Sequence, residues 1–372
     1  MKLLIVSTAP FIYRGRDVYA YGPYVNELLV WNKNATTIGF CCPVWESDRG
    51  LLISKVPFEI GKHFKLIDLN GVTLKGKIQS FFRSFYNIII LFKAYYWADH
   101  IHIRCPGNIG LLSCFVQIFF PSKPKSAKYA GNWDPESNQP WSYCLQKWIL
   151  SNTFLTRNMQ VLVYGEWPNQ SKNIKPFFTA SYSEKEKLPL QPLNMSGTIN
   201  FIFVGSLVVG KNPLYAIKLV EQFFKNNHNV RLNIYGDGVL KAELEKYIEE
   251  NYLEKHVFLH GNQNQEVIKK AYQNSHFVIL PSKSEGWPKA IAEGMFWGCV
   301  PIATPVSFVP FMLDYGKRGV LLEMDFTSDY NQLKMFLRNE TLYQEMRNEG
   351  ANWSRSYTTD LFQTEIKSIL IN

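Results

Sequence analysis

The stretch from Ser275 to Pro310 constrains the fold of this chain more than any other. Phe277-Val-Ile-Leu280 is a short apolar run bounded by turn residues, the pattern of a fully buried strand in a parallel sheet. Ser284-Glu285-Gly286-Trp287-Pro288 reads as a strand-to-helix turn, with Pro288 at the helix start, where its missing N–H costs no bond. Helical periodicity runs from Lys289 to Trp297, Gly298 supplies the stop, and Val300-Pro-Ile-Ala-Thr304 is the next strand. A strand, a crossover helix and a second strand in immediate succession point to an α/β protein with a parallel sheet and right-handed crossovers.

This arrangement puts Glu285 at the mouth of a helix and Glu293 about two turns into it. A helix N-terminus carries unpaired N–H groups and a partial positive charge, and so attracts phosphate or a polar ligand. A carboxylate reaching into a cleft there accepts hydrogen bonds from paired sugar hydroxyls. The spacing alone suits a second reading equally well, in which Glu285 is an ordinary first-turn acid and Glu293 a solvated surface residue.

Glu285-Gly-Trp-Pro-Lys-Ala-Ile-Ala-Glu293-Gly-Met resembles the Glu-x7-Glu signature of the family 4 retaining glycosyltransferases of the GT-B fold. The resemblance covers the C-terminal half well and the N-terminal half in outline. It implies an α/β chain of two Rossmann-like, doubly wound parallel-sheet domains facing a central cleft. It implies further that Glu285 approaches the donor sugar and that Glu293 binds the nucleotide ribose. The stretch between them, with Gly286, Pro288, Lys289 and Ala290, would line the donor diphosphate with backbone amides.

Other segments fit the same family in order. After the strand Asn200–Gly205, the family pattern is Gly-Arg-Leu followed by a Lys, both cations binding the diphosphate. Here Gly205 and Lys211 match, while Ser206 replaces the Arg, so donor binding should lean on Lys211 and on the helix following Glu285. Gly236 in Tyr-Gly-Asp-Gly and Gly261 in Phe-Leu-His-Gly resemble elements that line the nucleotide pocket. In the N-terminal half, the loop Ala9–Tyr24 precedes a helix from about Val25 to Trp31, and Gly22 alone remains of a family Gly-Gly pair that contacts donor phosphate and acceptor. Arg14 and Arg16 either serve a phosphate or are solvated. Asp99–Gly107 resembles a family strand that ends at the cleft, which makes Arg104 a candidate on the acceptor or phosphate side. Where a family His often stands, this chain has Asn132, Trp133 and Asp134, and Asp134 with Asn132 is the expected acceptor-side hydrogen-bonding group.

With 372 residues there is room for two α/β domains. The expected boundaries are an acceptor domain over 1–180, a linker over 181–198 where the sequence turns polar and loses its hydrophobic period, a nucleotide-sugar domain over 199–351, and a C-terminal helical segment over 352–372 crossing back to the first domain. Hydrophobic residues make up 46% and charged residues 19%, which excludes a disordered chain. Residues 1–195 carry 22 Lys/Arg against 12 Asp/Glu, whereas residues 196–372 carry 18 against 19. The first half is thus the basic one, suited to a phosphorylated substrate or an anionic membrane surface, and no nucleic-acid motif accompanies it.

The six cysteines show no Cys-x-x-Cys pair and no zinc spacing, as in a reduced cytosol. Met1–Thr8 reads as a first buried strand rather than a signal peptide, and no apolar run approaches the ~20 residues that span a bilayer. Leu74–Trp97 is a helix with Ile78, Phe81, Phe82, Phe85, Ile88, Ile89, Phe92, Tyr95 and Tyr96 at three- and four-residue spacing, flanked by Lys75, Lys77, Arg83 and Lys93. Such a stripe packs on a sheet or lies in a membrane interface, and core packing is the favoured expectation. The expected location is cytoplasmic and peripheral on the inner face of the membrane.

There is no Asp-x-Asp to hold a metal on a diphosphate, so neither metal nor other cofactor is expected. The resemblance implies retaining, hexosyl-type transfer from a nucleoside-diphosphate sugar to a glycan or lipid-linked acceptor in surface polysaccharide or lipid-linked oligosaccharide synthesis, with Lys211 and Glu285 as the catalytic pair. The alternatives are a non-catalytic nucleotide-sugar or lipid-headgroup binding protein of the same fold, and a sugar phosphorylase.

Overall fold

The structure is a computed structural model that describes residues 1–69 and 74–371, with the backbone alone at Leu74, Lys75 and Lys77. The chain divides into two compact units, one made of Met1–Phe178 with Leu361–Asn372 and the other of Thr179–Asp360.

The first unit contains strands β1 (Lys2–Val6), β2 (Phe11–Arg14), β3 (Asp17–Tyr21), β4 (Thr37–Trp45), β5 (Ile53–Lys55), β6 (Lys62–Leu66), β7 (His100–Cys105), β8 (Lys125–Tyr129), β9 (Met159–Tyr164) and β10 (Ile174–Phe177). Among its helices are α1 (Gly22–Asn32), α2 (Leu74–Trp97), α3 (Asn108–Val116) and α4 (Trp141–Ser151). The sheet order is β10-β9-β8-β7-β1-β4-β2-β3-β5, with β6 paired to β4. Leu3, Leu4, Ile5 and Val6 of β1 are buried one after another, because a strand covered on both faces needs apolar residues on both. The loop expected over Ala9–Tyr24 instead holds the antiparallel hairpin β2–β3, in register Ile12↔Tyr19. It extends the parallel sheet with an antiparallel edge, and α1 begins at Gly22 rather than Val25.

The apolar stripe of α2 divides between two environments. Its later turns bury Leu91, Ala94 and Tyr95 in the core, as a sheet-packed helix should. Phe81, Phe82, Phe85 and Ile89 are more than half exposed, so the core-packing expectation fails for the earlier turns. Periodicity reports that a stripe exists; what covers it depends on the length of helix that the sheet beneath can reach.

The second unit contains β11 (Ile199–Val204), β12 (Val230–Tyr235), β13 (Val257–Leu259), β14 (Phe277–Leu280), β15 (Val300–Ala303) and β16 (Val320–Leu321). Among its helices are α5 (Pro213–Lys225), α6 (Lys241–Glu250), α7 (Gln265–Gln273), α8 (Lys289–Phe296), α9 (Val309–Met312), α10 (Phe326–Arg338) and α11 (Glu340–Arg355). All six strands are parallel, in the order β13-β12-β11-β14-β15-β16. The chain therefore winds outward from β11 to one edge, returns to β11's other side as β14, and winds to the opposite edge. The reversal between β11 and β14 leaves a crevice at their carboxyl ends, the usual place for a ligand in an open α/β sheet.

The stretch 181–198, expected as a linker, falls within this second unit. Its backbone carbonyls are claimed by other side chains of the unit. Gln344 Nε2 donates to Leu193 O at 2.7 Å, Arg347 Nη2 to Gln191 O, Arg355 Nη2 to Leu188 O at 2.7 Å, and His276 Nε2 meets Asn194 O at 3.0 Å. Where the chain enters and leaves the unit, its two ends are stitched together. Thr359 N donates to Tyr182 O at 2.9 Å, Glu184 N to Asp360 Oδ2 at 2.8 Å, and Thr358 Oγ1 to Glu184 Oε1 at 2.8 Å. The last helix, α12 (Thr359–Ile371), then leads into the first unit, where Phe362 packs on Phe177 and Phe178 with ring centroids 5.4 and 5.8 Å apart. Among the described residues, no helix is long and apolar enough to cross a membrane.

Candidate functional site

The β11–β14 crevice is built by two loops and one helix. The Lys283 amide donates to Gly210 O at 2.8 Å, which ties the loop after β14 to the loop after β11. Asn212 takes a left-handed turn at φ 52° and Pro213 starts α5, so the chain bends sharply just after Lys211. Lys211 Nζ then lies 2.5 Å from Glu285 Oε1. The Glu285 side chain is 7% exposed and that of Lys211 29%, so the carboxylate is nearly enclosed while its cation keeps a face toward solvent. Glu285 is thus not a solvated first-turn acid.

Glycines make the neighbouring strand ends approach closely. Gly205 N donates to Tyr235 O at 3.0 Å and Gly236 N to Gly261 O at 2.9 Å, which draws together the ends of β11, β12 and β13. Gly236 has φ +147°, and a Cβ there would lie 1.9 Å from Gly205 O. Ser206 is exposed beside this floor, with its carbonyl accepting from Val208 N at 2.9 Å. On the other side, α8 sits tightly on β14: a Cβ on Gly294 would lie 2.6 Å from Val278 Cγ1. That close approach fixes where the helix presents Glu293. Pro288 takes the N-cap position ahead of Lys289 and Ala290, with Gly286 half-buried in the turn before it.

Glu293 is neither a cap nor a solvated residue. Ser181 Oγ donates to its Oε1 at 2.5 Å, the Tyr272 hydroxyl lies 3.5 Å from Oε2, and Lys289 Nζ lies 3.5 Å from Oε1. Burial pushes the Tyr272 hydroxyl well above its ordinary pKa, and the Glu293 carboxylate adds to the effect, so Tyr272 stays a donor. Ser181 and Tyr272 had no signal in the sequence motif. Two carboxylates and two ammonium groups are thereby gathered by this crevice and α8. Carboxylates accept sugar hydroxyls, and ammonium groups neutralise a diphosphate.

In the first unit, Arg104 at the end of β7 is held inward. Its Nη1 lies 2.6 Å from Glu27 Oε1, and its guanidinium stacks 4.7 Å from the Tyr24 ring centroid. Lys128 Nζ lies 3.1 Å from the same Glu27 oxygen. Burial alone would raise the Glu27 carboxyl, but Arg104 and Lys128 outweigh it and hold the group far below the usual carboxylate range. Two buried cations on one carboxylate leave a net positive charge at the carboxyl ends of β7 and β8. Glu27 and Lys128 escaped the sequence reading, although Glu27 is a lone acid in the apolar run of α1. Asn132 and Asp134 shape their own loop: Asn132 Oδ1 accepts from Asp134 N at 2.9 Å, and Asp134 Oδ1 from Glu136 N at 2.9 Å. Gly22 is a close-packing position, since a Cβ would lie 2.9 Å from Ser54 Oγ, and its amide donates to Leu52 O at 2.9 Å.

Comparison with known proteins follows this division. Residues 184–353, nearly the whole second unit, match the family model of the Glycosyl transferases group 1. An uncharacterized glycosyltransferase of Methanocaldococcus jannaschii is 28% identical over 167 residues, 44% of this chain and 45% of that protein. The N-acetylgalactosamine-N,N'-diacetylbacillosaminyl-diphospho-undecaprenol 4-alpha-N-acetylgalactosaminyltransferase of Campylobacter jejuni is 28% identical over 156 residues, 41% of each chain. The chain thus spans under half the length of either curated relative. HepE of Anabaena, solved with UDP and glucose, superposes over 100% of both chains with a TM-score of 0.68 and 14% identity. The chain therefore has the GT-B fold of two parallel-sheet α/β domains, with its similarity to group 1 glycosyltransferases carried by the second.

Proposed function

We propose that the chain is a glycosyltransferase that moves a sugar from a nucleoside-diphosphate sugar to an acceptor hydroxyl, with retention at the anomeric carbon. The observation that carries this reading is the enclosed Lys211–Glu285 pair at the reversal point of the second sheet, together with the family match over the same unit. A diphosphate arriving beside Lys211 competes with Glu285 for the ammonium. The released carboxylate is then an acceptor for hydroxyls of the donor sugar. As the bond from the anomeric carbon to the phosphate oxygen breaks, the departing phosphate gains charge that Lys211 stabilises, and this interaction grows toward the transition state. The acceptor oxygen bonds the anomeric carbon and passes its proton to the leaving phosphate. Glu285 orients the donor and forms no bond to it. A panel of nucleotide-sugars, assayed for nucleotide release with and without glycan acceptors, tests the reading. Donor binding without any release would favour the non-catalytic alternative, and release dependent on inorganic phosphate the phosphorylase.

Glu293, in this reading, holds the ribose. Glu293→Ala is expected to weaken nucleotide binding more than tenfold, since a hydrogen bond to a charged group contributes about 1.5–3 kcal/mol. The fold should persist, as Ser181 and Lys289 both reach solvent and only the long 3.5 Å contact of the buried Tyr272 hydroxyl is lost without replacement. Calorimetry with the free nucleotide measures this, and unchanged affinity would remove Glu293 from the donor site. With Lys211, Lys289 and backbone amides to meet the diphosphate, turnover is expected to need no divalent metal. Loss of turnover in EDTA with recovery on adding magnesium or manganese would contradict that.

The acceptor side belongs to the first unit, and the exposed half of α2 supports a lipid-linked acceptor at an anionic membrane. Phe81, Phe82, Phe85 and Ile89 form an exposed apolar face, three of its four side chains aromatic, in the basic half of the chain, and aromatic rings beside Lys and Arg suit the headgroup boundary. The Campylobacter relative, by its name, acts on a diphospho-undecaprenol-linked glycan. The chain is expected to bind phosphatidylglycerol vesicles in a salt-sensitive manner and phosphatidylcholine vesicles weakly. Changing Lys75, Lys77, Arg83 and Lys93 to Gln should weaken the former by roughly 1 kcal/mol per charge. The side chains of Lys75 and Lys77 lie outside the described residues. A wild type that ignores anionic vesicles at low salt would redirect the reading to a soluble acceptor.

A further inference from the structure

At the amino ends of β8, β9 and β10 the first unit carries an open cavity of about 630 Å³. It lies at the opposite end of the strands from Arg104 and Asn132, and strands of this length put the two ends roughly 17–20 Å apart. Four cations line it, namely Lys125, which opens β8, Arg157 in the loop before β9, Lys172 in the loop before β10, and Lys175 on β10. No acidic side chain among the described residues lines it, and the ion pairs of this unit engage Arg14, Lys55, Arg104 and Lys128 instead. Four like charges around one cavity repel one another, an arrangement that an anion relieves.

Two polar side chains are buried directly behind its surface. Lys125 Nζ donates to Phe120 O at 2.6 Å and, as an ammonium, keeps two further protons. Burial lowers its pKa to about 8, so it remains largely charged at neutral pH while being ready to gain from an anionic neighbour. His100 lines the inner wall and is 2% exposed, with Nε2 at 2.9 Å from Ser126 Oγ and Nδ1 buried without a protein partner. Asn158 adds a neutral amide, and the Arg157 guanidinium is braced 4.8 Å from the Phe154 ring centroid. Lysines on a sheet-edge strand often serve to block further pairing, and β10 is such an edge. That role accounts for Lys175. It does not account for Lys125, which is on an interior strand, nor for Arg157.

We propose that this cavity binds a phosphate-bearing anion, separately from the donor crevice of the second unit. Its volume lies in the range of small-ligand sites. An Arg fork with three Lys point charges is a phosphate-recognising set. The proposal is independent of the transferase reading, since it draws on no residue of the second unit.

Titration of the full chain with inorganic pyrophosphate, followed calorimetrically, provides the test. The variant Arg157→Gln/Lys172→Gln/Lys175→Gln alters three exposed side chains, so its melting temperature should stay close to that of the wild type. Its affinity for pyrophosphate at this site should fall at least tenfold, and wild-type binding should weaken steeply with salt. Lys211→Ala, which changes only the second unit, should keep this binding intact and so separates the two sites. Phosphatidylglycerol vesicles distinguish the source of the phosphate. If the triple variant loses vesicle binding as well, and pyrophosphate displaces the wild type from vesicles, the anion is a lipid headgroup. If vesicle binding is unchanged while pyrophosphate binding is lost, the anion is a soluble phosphate compound. Equal pyrophosphate affinity in the wild type and the triple variant overturns the proposal.

Discussion

Lys211→Ala is expected to lower kcat/KM for sugar transfer by about 10²–10³-fold, the usual cost of removing one group aimed at developing charge. The substitution does two things at once. It removes the cation nearest the leaving phosphate in the proposed reaction, and it leaves the Glu285 carboxylate, 7% exposed, without its partner at 2.5 Å. The second effect should destabilise the second unit by about 1–3 kcal/mol, less than a fully buried pair would cost because Lys211 keeps a solvent-facing side. The two effects separate in the double variant Lys211→Met/Glu285→Gln, which has no charge to strand. Its urea midpoint should recover toward the wild type while transfer stays low. Transfer that recovers together with stability would mean that the pair braces the two loops and has no part in the chemistry.

Gly236→Ala should be the most destabilising single substitution considered for the second unit, at about 3 kcal/mol or more. The methyl group would meet the Gly205 carbonyl oxygen at 1.9 Å and carbon at 2.8 Å, both backbone atoms that no side-chain rotation can clear, and φ +147° is itself unfavourable for alanine. Because Gly205 N is bonded to Tyr235 O and Gly236 N to Gly261 O, relief of the clash must separate three strand ends. Gly210→Ala is the matched control: nothing lies within 4 Å of its Cβ position, and its effect should stay within about 0.5 kcal/mol. Urea denaturation with an unchanged m-value measures both. Similar midpoints for the two variants would show that the glycine floor is not under the constraint described.

Elements with local signals were legible in the sequence. The β14–α8–β15 unit was read with its bounds nearly in place because its apolar runs, its Pro288 start and its Gly298 stop at φ +88° are all features of adjacent residues. The hairpin β2–β3 was not, since its Tyr- and Arg-rich strands are partly exposed and show no alternation. The stretch 181–198 has no period of its own, and much of its order comes from side chains 82 or more residues away, which spacing cannot report. The same holds for the site. Lys211 and Glu285 were each identified from their own loops, but their contact spans 74 residues, and the Glu27 contact with Arg104 spans 77. Ser181 reaches Glu293 across 112 residues. Motif reading finds the residues that a loop displays, and it misses the partners that the fold delivers from elsewhere.

The stitching of Tyr182 and Glu184 to Thr358, Thr359 and Asp360 has a consequence for how such a chain diversifies. A segment whose two ends meet is a cassette: it can be exchanged between relatives at two junctions that are already neighbours, without rethreading what lies outside. Residues 179–360 form such a cassette, and the family similarity over 184–353 falls wholly inside it. Chimeras joined at these seams would carry one parent's second unit on the other's first, so that, under the proposed reading, donor and acceptor preference would be traced one unit at a time.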